Sequence, residues 1–262
     1  LAEGYTAEAP VFEPATITVS GADVNLKDIS YAWVSFGKEN VDSTYKVETG
    51  FTLMNDNGEE CSTVGLTCSD DVVTATLPLL LVKEIPLSVD LIEGAGATKA
   101  NTKIKIEPES ITLAGDSAIL TGMNKIVLDT IDLTDFASTT SETYTIPIDN
   151  NMKNLTGATE AKVTVEIVGL ETRTYKVKNI SCTNVTEGYA ADIISESIDV
   201  VLRGTPQQLD QLKAESIRAV ADLTDYKEST GQFMPNVKII VDGFTDVGAI
   251  GQNTISIEIR KA

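Results

Sequence analysis

Three stretches of this chain carry one pattern, and that repetition constrains the fold more than any other feature. They are Pro14-Ala-Thr-Ile-Thr-Val-Ser-Gly21, Pro108-Glu-Ser-Ile-Thr-Leu-Ala-Gly115 and Ser195-Glu-Ser-Ile-Asp-Val-Val-Leu-Arg-Gly204, the third two residues longer before its glycine. Ile17, Ile111 and Ile198 stand 94 and 87 residues apart (111 − 17 and 198 − 111). That is the spacing of whole domains, not of solenoid turns. The likeness continues in Ile131-Asp-Leu-Thr134 and Ala221-Asp-Leu-Thr224, which follow their glycines at 17 and 18 residues (132 − 115 and 222 − 204). The first stretch has Trp33-Val-Ser-Phe36-Gly37 in that region instead. The chain therefore divides into units 1–82, 83–170 and 171–262. The joints at Leu81-Val-Lys83 and Gly169-Leu-Glu171 contain no flexible linker, which predicts a semi-rigid rod.

Each unit reads as mainly β. Val163, Val165 and Ile167 alternate with polar residues, as do Ile255, Ile257 and Ile259, the period of a half-buried strand. Paired strands are expected over 46–53 with 72–77, 143–148 with 161–167, and 236–241 with 254–259. Ile85–Val89 opens the second unit and Tyr175–Ile180 the third, both extended; the first unit lacks such a segment. Helix is confined to one short piece or 3-10 turn per unit. The best signalled is Thr205-Pro-Gln-Gln208, with Thr at the N-cap, Pro at N1 and Gln at N3. Asp116–Asn124 and Ala22–Asp28 are weaker counterparts.

Composition narrows the function. The net charge is −19, a surface that repels phosphate backbones, so no nucleic acid partner is expected. There is no histidine, which removes the commonest general base, nucleophile activator and metal ligand. No catalytic residue, cofactor or metal is expected. Cys61, Cys68 and Cys182 are too few and too scattered for a disulfide framework. A local Cys61–Cys68 bridge and two reduced thiols remain equal alternatives. No apolar run is long enough to span a membrane. The start, Leu1-Ala-Glu-Gly4, has neither an initiator Met nor a leader pattern. It reads as trimmed, with room upstream for an anchor.

The run Ser197–Leu212 followed by Ile217–Thr224, with Gly204, Leu209, Leu212 and Asp222-Leu-Thr224, resembles the YbbR domain. The second unit matches it at Pro108, Ile111, Gly115, Asp132-Leu-Thr134 and Pro147, and the first at Pro14–Gly21. The resemblance implies three tandem, elongated β domains with crossing strands. It places them on the extracytoplasmic side of the bacterial cell membrane, behind an N-terminal transmembrane helix that this chain does not contain. Some such proteins sit beside a membrane-bound diadenylate cyclase and tune its production of cyclic di-AMP. The resemblance carries no catalytic residues. It implies a non-enzymatic regulator whose partner is that cyclase, with a cell-wall component as a second candidate. The alternatives are an adhesive stalk and a carbohydrate-binding module.

Few residues stand out as candidate sites. Tyr31 and Trp33 share a strand face and form the one candidate interaction patch, with core packing as the competing reading; Phe36 lies off that face. Asp132 and Asp222 are expected to cap the turns after their strands rather than to bind a cation. Asn55-Asp-Asn-Gly58-Glu-Glu60 lacks calcium-loop spacing and reads as a hairpin loop. A small β repeat offers no deep cleft for paired carboxylates.

Overall fold

Val and Ile are stiff at χ1 and fit a pleated surface, and strands form wherever they alternate with polar residues. The computed structural model describes residues 1–262 and is mainly β. One three-stranded antiparallel arrangement occurs three times. Val73–Leu77 lies between Val11–Glu13 and Tyr45–Thr49. Glu160–Ile167 lies between Thr102–Glu107 and Thr139–Thr145. Ile257–Lys261 lies between Tyr189–Ile193 and Gly231–Phe233. Each time the strand latest in sequence takes the centre, where burial on the inner face demands the alternation seen in Val163, Val165 and Ile167.

The glycine-ended stretches also form strands, each with a short antiparallel partner. Val19–Gly21 pairs with Leu66–Cys68, Ser110–Gly115 with Lys153–Asn154, and Ile198–Gly204 with Gly248–Ala249. The two later stretches are covered on their other edge. Leu79–Ile92 is one long strand whose first half runs antiparallel to Ser110–Gly115 and whose second half runs parallel to Ile126–Asp132. Glu171–Val177 runs antiparallel to Ile198–Gly204, and Ile180–Thr183 parallel to Ile217–Asp222. These are the extended segments read at 85–89 and 175–180.

Contacts gather the chain into two units. The first holds Leu1–Pro86, Ser110–Lys125 and Ile148–Ala158; the second holds Leu87–Glu109, Ile126–Pro147 and Thr159–Ala262. In the first unit, the Lys83 ammonium donates to the carbonyls of Leu120, Thr121 and Met123, closing the end of the helix Ser117–Gly122. The second unit holds three apolar clusters. One is built on Val200, Leu202, Leu209 and Ile217, another on Leu133, Val163 and Val165, and a third on Leu223, Ile255 and Ile257.

Each sequence unit has its one short α-helix: Asp23–Leu26, Ser117–Gly122 and Pro206–Gln211. The Thr205 side chain accepts from the Gln208 amide while the Gln208 side chain accepts from the Thr205 amide, so the capping box forms as expected. The 3-10 turns come in addition, at Lys99–Asn101, Ala214–Ser216 and Thr224–Tyr226. One helix or turn per unit holds for the first unit and is too few for the second and third; these turns form where the chain leaves or enters a strand end.

Two expected strand pairings need correction. The stretch 46–53 is not one strand: it breaks at Gly50, sending Tyr45–Thr49 to Val73–Leu77 and Thr52–Met54 to Tyr31–Trp33. Nor do 236–241 and 254–259 form a hairpin; only Asn236 and Thr254 bridge. Val237–Val241 pairs with Ile217–Asp222 instead, where the small Ala219 and Ala221 oppose Ile239 and Val237.

Candidate functional site

The candidate patch lies in the first unit. Tyr31–Trp33 pairs antiparallel with Thr52–Met54, Tyr31 opposite Met54 and Trp33 opposite Thr52, and the Ser30 amide extends the ladder to the Met54 carbonyl at 2.8 Å. A two-residue period puts Tyr31 and Trp33 on one face, and both stay exposed, at 43% and 56%. Core packing is thus not their role here. They border a groove of about 580 Å³ whose other walls include Phe12, Ile17, Val19 and the buried Leu53. Phe36 belongs elsewhere: it meets Phe12 edge-on at 6.2 Å and leans over Tyr45.

No carboxylate, ammonium, guanidinium or thiol lines this groove. It offers mostly apolar surface, one phenol, one indole and the hydroxyl residues Thr16 and Ser30, which suits binding of an apolar or polypeptide segment. A hollow of this size was not expected from the sequence. The local pattern shows that Tyr31 and Trp33 share a face, but the wall formed by Ile17 and Val19 comes from the separate strand Val19–Gly21 and the residues just before it.

The other candidates resolve into turn chemistry. Asp132 Oδ1 accepts from the Thr134 amide at 2.8 Å and its hydroxyl at 2.7 Å; Asp222 Oδ1 does the same with Thr224 at 2.9 and 2.6 Å. Asn184 adds a third donor to Asp222 at 2.9 Å. Both aspartates therefore cap the turns after their strands, as expected. In the 55–60 loop, Asn55 Oδ1 accepts from the amides of Asn57 and Glu59, and its amide nitrogen donates to Glu59 at 3.0 Å. The loop closes a turn, and its donors and acceptors serve one another. No group of three or more acidic or thiol side chains is arranged to hold a metal ion. All three cysteines are free, and burial pushes the Cys182 thiol up, away from the reactive thiolate.

The Asp222 turn has a measurable consequence. The Thr224 hydroxyl, then Asn184, then the Thr224 amide hold this carboxyl down from 3.8 to about 2. A carboxyl with a lowered folded-state pKa contributes stability that is complete above its unfolded value and lost as pH falls toward the folded one. The urea midpoint should hold steady above about pH 5 and drop between roughly pH 4 and 2. Asp222→Asn should flatten part of that drop; an unchanged profile in the variant would mean the turn contributes nothing.

The residue that sequence reasoning passed over is Arg203, the one fully buried charged side chain. It sits in Ile198–Gly204 in the second unit. Its guanidinium donates to five carbonyls: Ala95 at 3.0 Å, Gly94 at 2.9 Å, Leu133 at 2.7 Å, and Phe136 and Ala137 at 2.8 and 3.3 Å. Burial pulls its pKa down from 12.5 and the Asp132 carboxylate opposes the shift. Its role is structural. The signal was present in the repeat, which has Ala114 where the third stretch has Arg203.

The fold defines a class: a mainly β chain in which one three-stranded antiparallel arrangement recurs three times, with an aromatic-edged groove in its first unit. No family model matches the chain. It is similar to the CdaA regulatory protein CdaR of Bacillus subtilis (strain 168), 22% identical over 264 residues covering 98% of this chain. The chain spans about half the length of that relative, 53%. Two solved structures also align, each at 15% identity and a TM-score of 0.28. One is a crystal structure of a YbbR-like protein from Streptococcus pneumoniae TIGR4, covering 70% of this chain and 96% of that one. The other is a solution structure of a Streptococcus thermophilus protein, covering 34% and 84%. Those superpositions are loose, and the fold rests on the pairings above. The match along nearly the whole chain supports a YbbR-domain, CdaR-like protein, in keeping with the motif resemblance.

Proposed function

We propose that this protein is a non-enzymatic regulator that acts through protein–protein contact on the extracytoplasmic side of a bacterial membrane. Its partner is a membrane-bound diadenylate cyclase, and its effect is on cyclic di-AMP synthesis. The observation that carries this reading is the similarity over 98% of the chain to a protein named as the regulator of CdaA. The rest of the molecule supports it. The groove has mostly apolar walls, and no carboxylate, ammonium, guanidinium or thiol lines it. There is no histidine for acid–base or nucleophilic work. The charge of −19 disfavours nucleic acid and anionic lipid as partners. No helix of the structure is long and apolar enough to cross a membrane.

In this reading the three sequence units 1–82, 83–170 and 171–262 are tandem YbbR-like domains. Regulation by contact requires the protein to bind two states of the cyclase with different affinity, since equal affinity shifts nothing. Capture of membrane proteins with the full-length chain tests the proposal. The expected result is recovery of a diadenylate cyclase. Recovery of wall polysaccharide alone would overturn it and favour the stalk or carbohydrate-binding alternatives.

A further inference from the structure

The three strand triplets can be compared rung by rung, because the same position lies four residues ahead of each matching isoleucine. Counting back from Ile17, Ile111 and Ile198 gives Glu13, Glu107 and Ile194 (17 − 4, 111 − 4 and 198 − 4). Glu13 lies opposite Thr74, and Thr74 opposite Glu48. Glu107 lies opposite Lys162, and Lys162 opposite Thr143. In the third unit the Ile194 amide donates to the Ser256 carbonyl at 2.9 Å. Met234 faces Ser256 from the other side, since Phe233 opposes Ile257 and Asn236 bridges Thr254. The central strands bury Val73, Val163 and Ile257, so their neighbours Thr74, Lys162 and Ser256 turn outward.

The outer rung is therefore Glu13-Thr74-Glu48 in the first unit, Glu107-Lys162-Thr143 in the second and Ile194-Ser256-Met234 in the third. Ile194 and Met234 are exposed, at 46% and 70%. The fold does not require apolar side chains here, because two of its three copies put charge at the same place. Nor does a following unit cover the rung: Glu107 and Lys162 are exposed although the third unit comes after them. Exposed apolar side chains where the fold accepts charge mark a contact surface. The next rung on this face is Asp192-Glu258-Gln232. Arg260 pairs with Asp192 at 2.7 Å, and Glu258 adds a second carboxylate beside them. The apolar rung thus has an acidic border, where the second unit has Lys105-Thr164-Ser141.

We propose that this face docks an amphipathic helix of another protein, with apolar side chains two turns apart and a lysine or arginine on its flank. Ile194 and Met234 stand two strand spacings apart, about 10 Å, which matches two turns of a helix. Glu258 lies one rung along, about 7 Å to the side, within reach of a basic side chain. The acidic border and the net charge of −19 select a basic helix over an acidic one. The proposal does not depend on which protein carries the helix, so it can fail while the cyclase reading stands.

The test titrates the 262-residue chain with a labelled synthetic helix of leucine and lysine. Its leucines stand at i, i+3, i+4 and i+7, and its lysines along both flanks. Binding is read from the anisotropy of the label and from the side-chain methyl resonances of Ile194 and Met234. Both resonances should shift and saturate, and affinity should fall as salt is raised. Ile194→Glu with Met234→Thr installs the residues that the second unit carries at this rung. Its far-UV circular dichroism should stay unchanged while affinity drops at least about tenfold. Glu258→Gln should still saturate but with a weaker salt dependence. The same helix with glutamate in place of lysine should not bind. Unmoved Ile194 and Met234 resonances, or a double variant that binds as well as the parent, would overturn the proposal. So would the same methyl shifts on phosphatidylcholine vesicles, which would make a lipid surface the occupant. Shifts that depend on protein concentration without peptide would overturn it too, in favour of a second copy.

Discussion

Replacing Arg203 with methionine should lower the stability of the second unit by about 3–5 kcal/mol, a drop of roughly 10 °C in its melting temperature. Methionine keeps the length of the side chain and removes every donor. Five carbonyls, on Gly94, Ala95, Leu133, Phe136 and Ala137, then lose their partner. Hydrogen bonds to a charged donor are worth more than neutral ones, and a buried acceptor left bare costs its full desolvation. The carbonyls come from two separate segments, 94–95 and 133–137, so one side chain fixes both against its own strand. Arg203→Lys should recover little, because a compact ammonium cannot span the fork. Hydrogen exchange gives the local readout. The Gly94 and Ala97 amides bond to each other's carbonyls at 3.1 and 3.0 Å and should lose protection in the variant. A variant within about 1 kcal/mol of the parent would show that water replaces the guanidinium freely.

Gly96→Val should cost about 3 kcal/mol, from two causes that add. Gly96 has φ of +75°, a conformation that a β-branched residue resists. A Cβ there would also collide with the Asp246 carbonyl oxygen, which is backbone and cannot swing aside. Gly188 separates the two causes, because its φ is +82° and nothing lies within 4 Å of an added Cβ. Gly188→Val should carry the conformational cost alone, about 1–2 kcal/mol. Equal losses at the two glycines in thermal denaturation would mean the close approach to Asp246 contributes nothing. Gly96 and Arg203 secure the same turn, so the double variant should lose less than the summed singles.

Local chemistry was legible in the sequence, and long-range pairing only in part. The Thr205–Gln208 capping box, the two Asp-Leu-Thr turns and the Asn55 turn each depend on neighbours a few residues apart. Alternation located most strands, since burial on one face imposes a period of two. It assigned partners only in part: Thr139–Thr145 does pair with Glu160–Ile167 and Tyr45–Thr49 with Val73–Leu77. Val237–Val241 joins Ile217–Asp222 rather than the chain end, and Leu79–Ile92 serves three different strands along its length, Tyr5–Ala7, Ser110–Gly115 and Ile126–Asp132. Periodicity is the same whichever neighbour a strand takes. The candidate site was half legible for the same reason. Tyr31 and Trp33 were visible as a pair, and the groove they border emerges only once Phe12, Ile17, Val19 and Leu53 are brought beside them. Arg203 escaped because a lone arginine in an apolar strand reads locally as a solvent-facing residue.

The most direct test of the account is the rate of cyclic di-AMP synthesis by a membrane-reconstituted diadenylate cyclase, measured with and without the full-length protein. The account expects a severalfold change in rate that saturates as the protein is added, and no turnover of nucleotide by the protein alone. A cyclase rate indifferent to saturating protein, or nucleotide turnover by the protein itself, would contradict it.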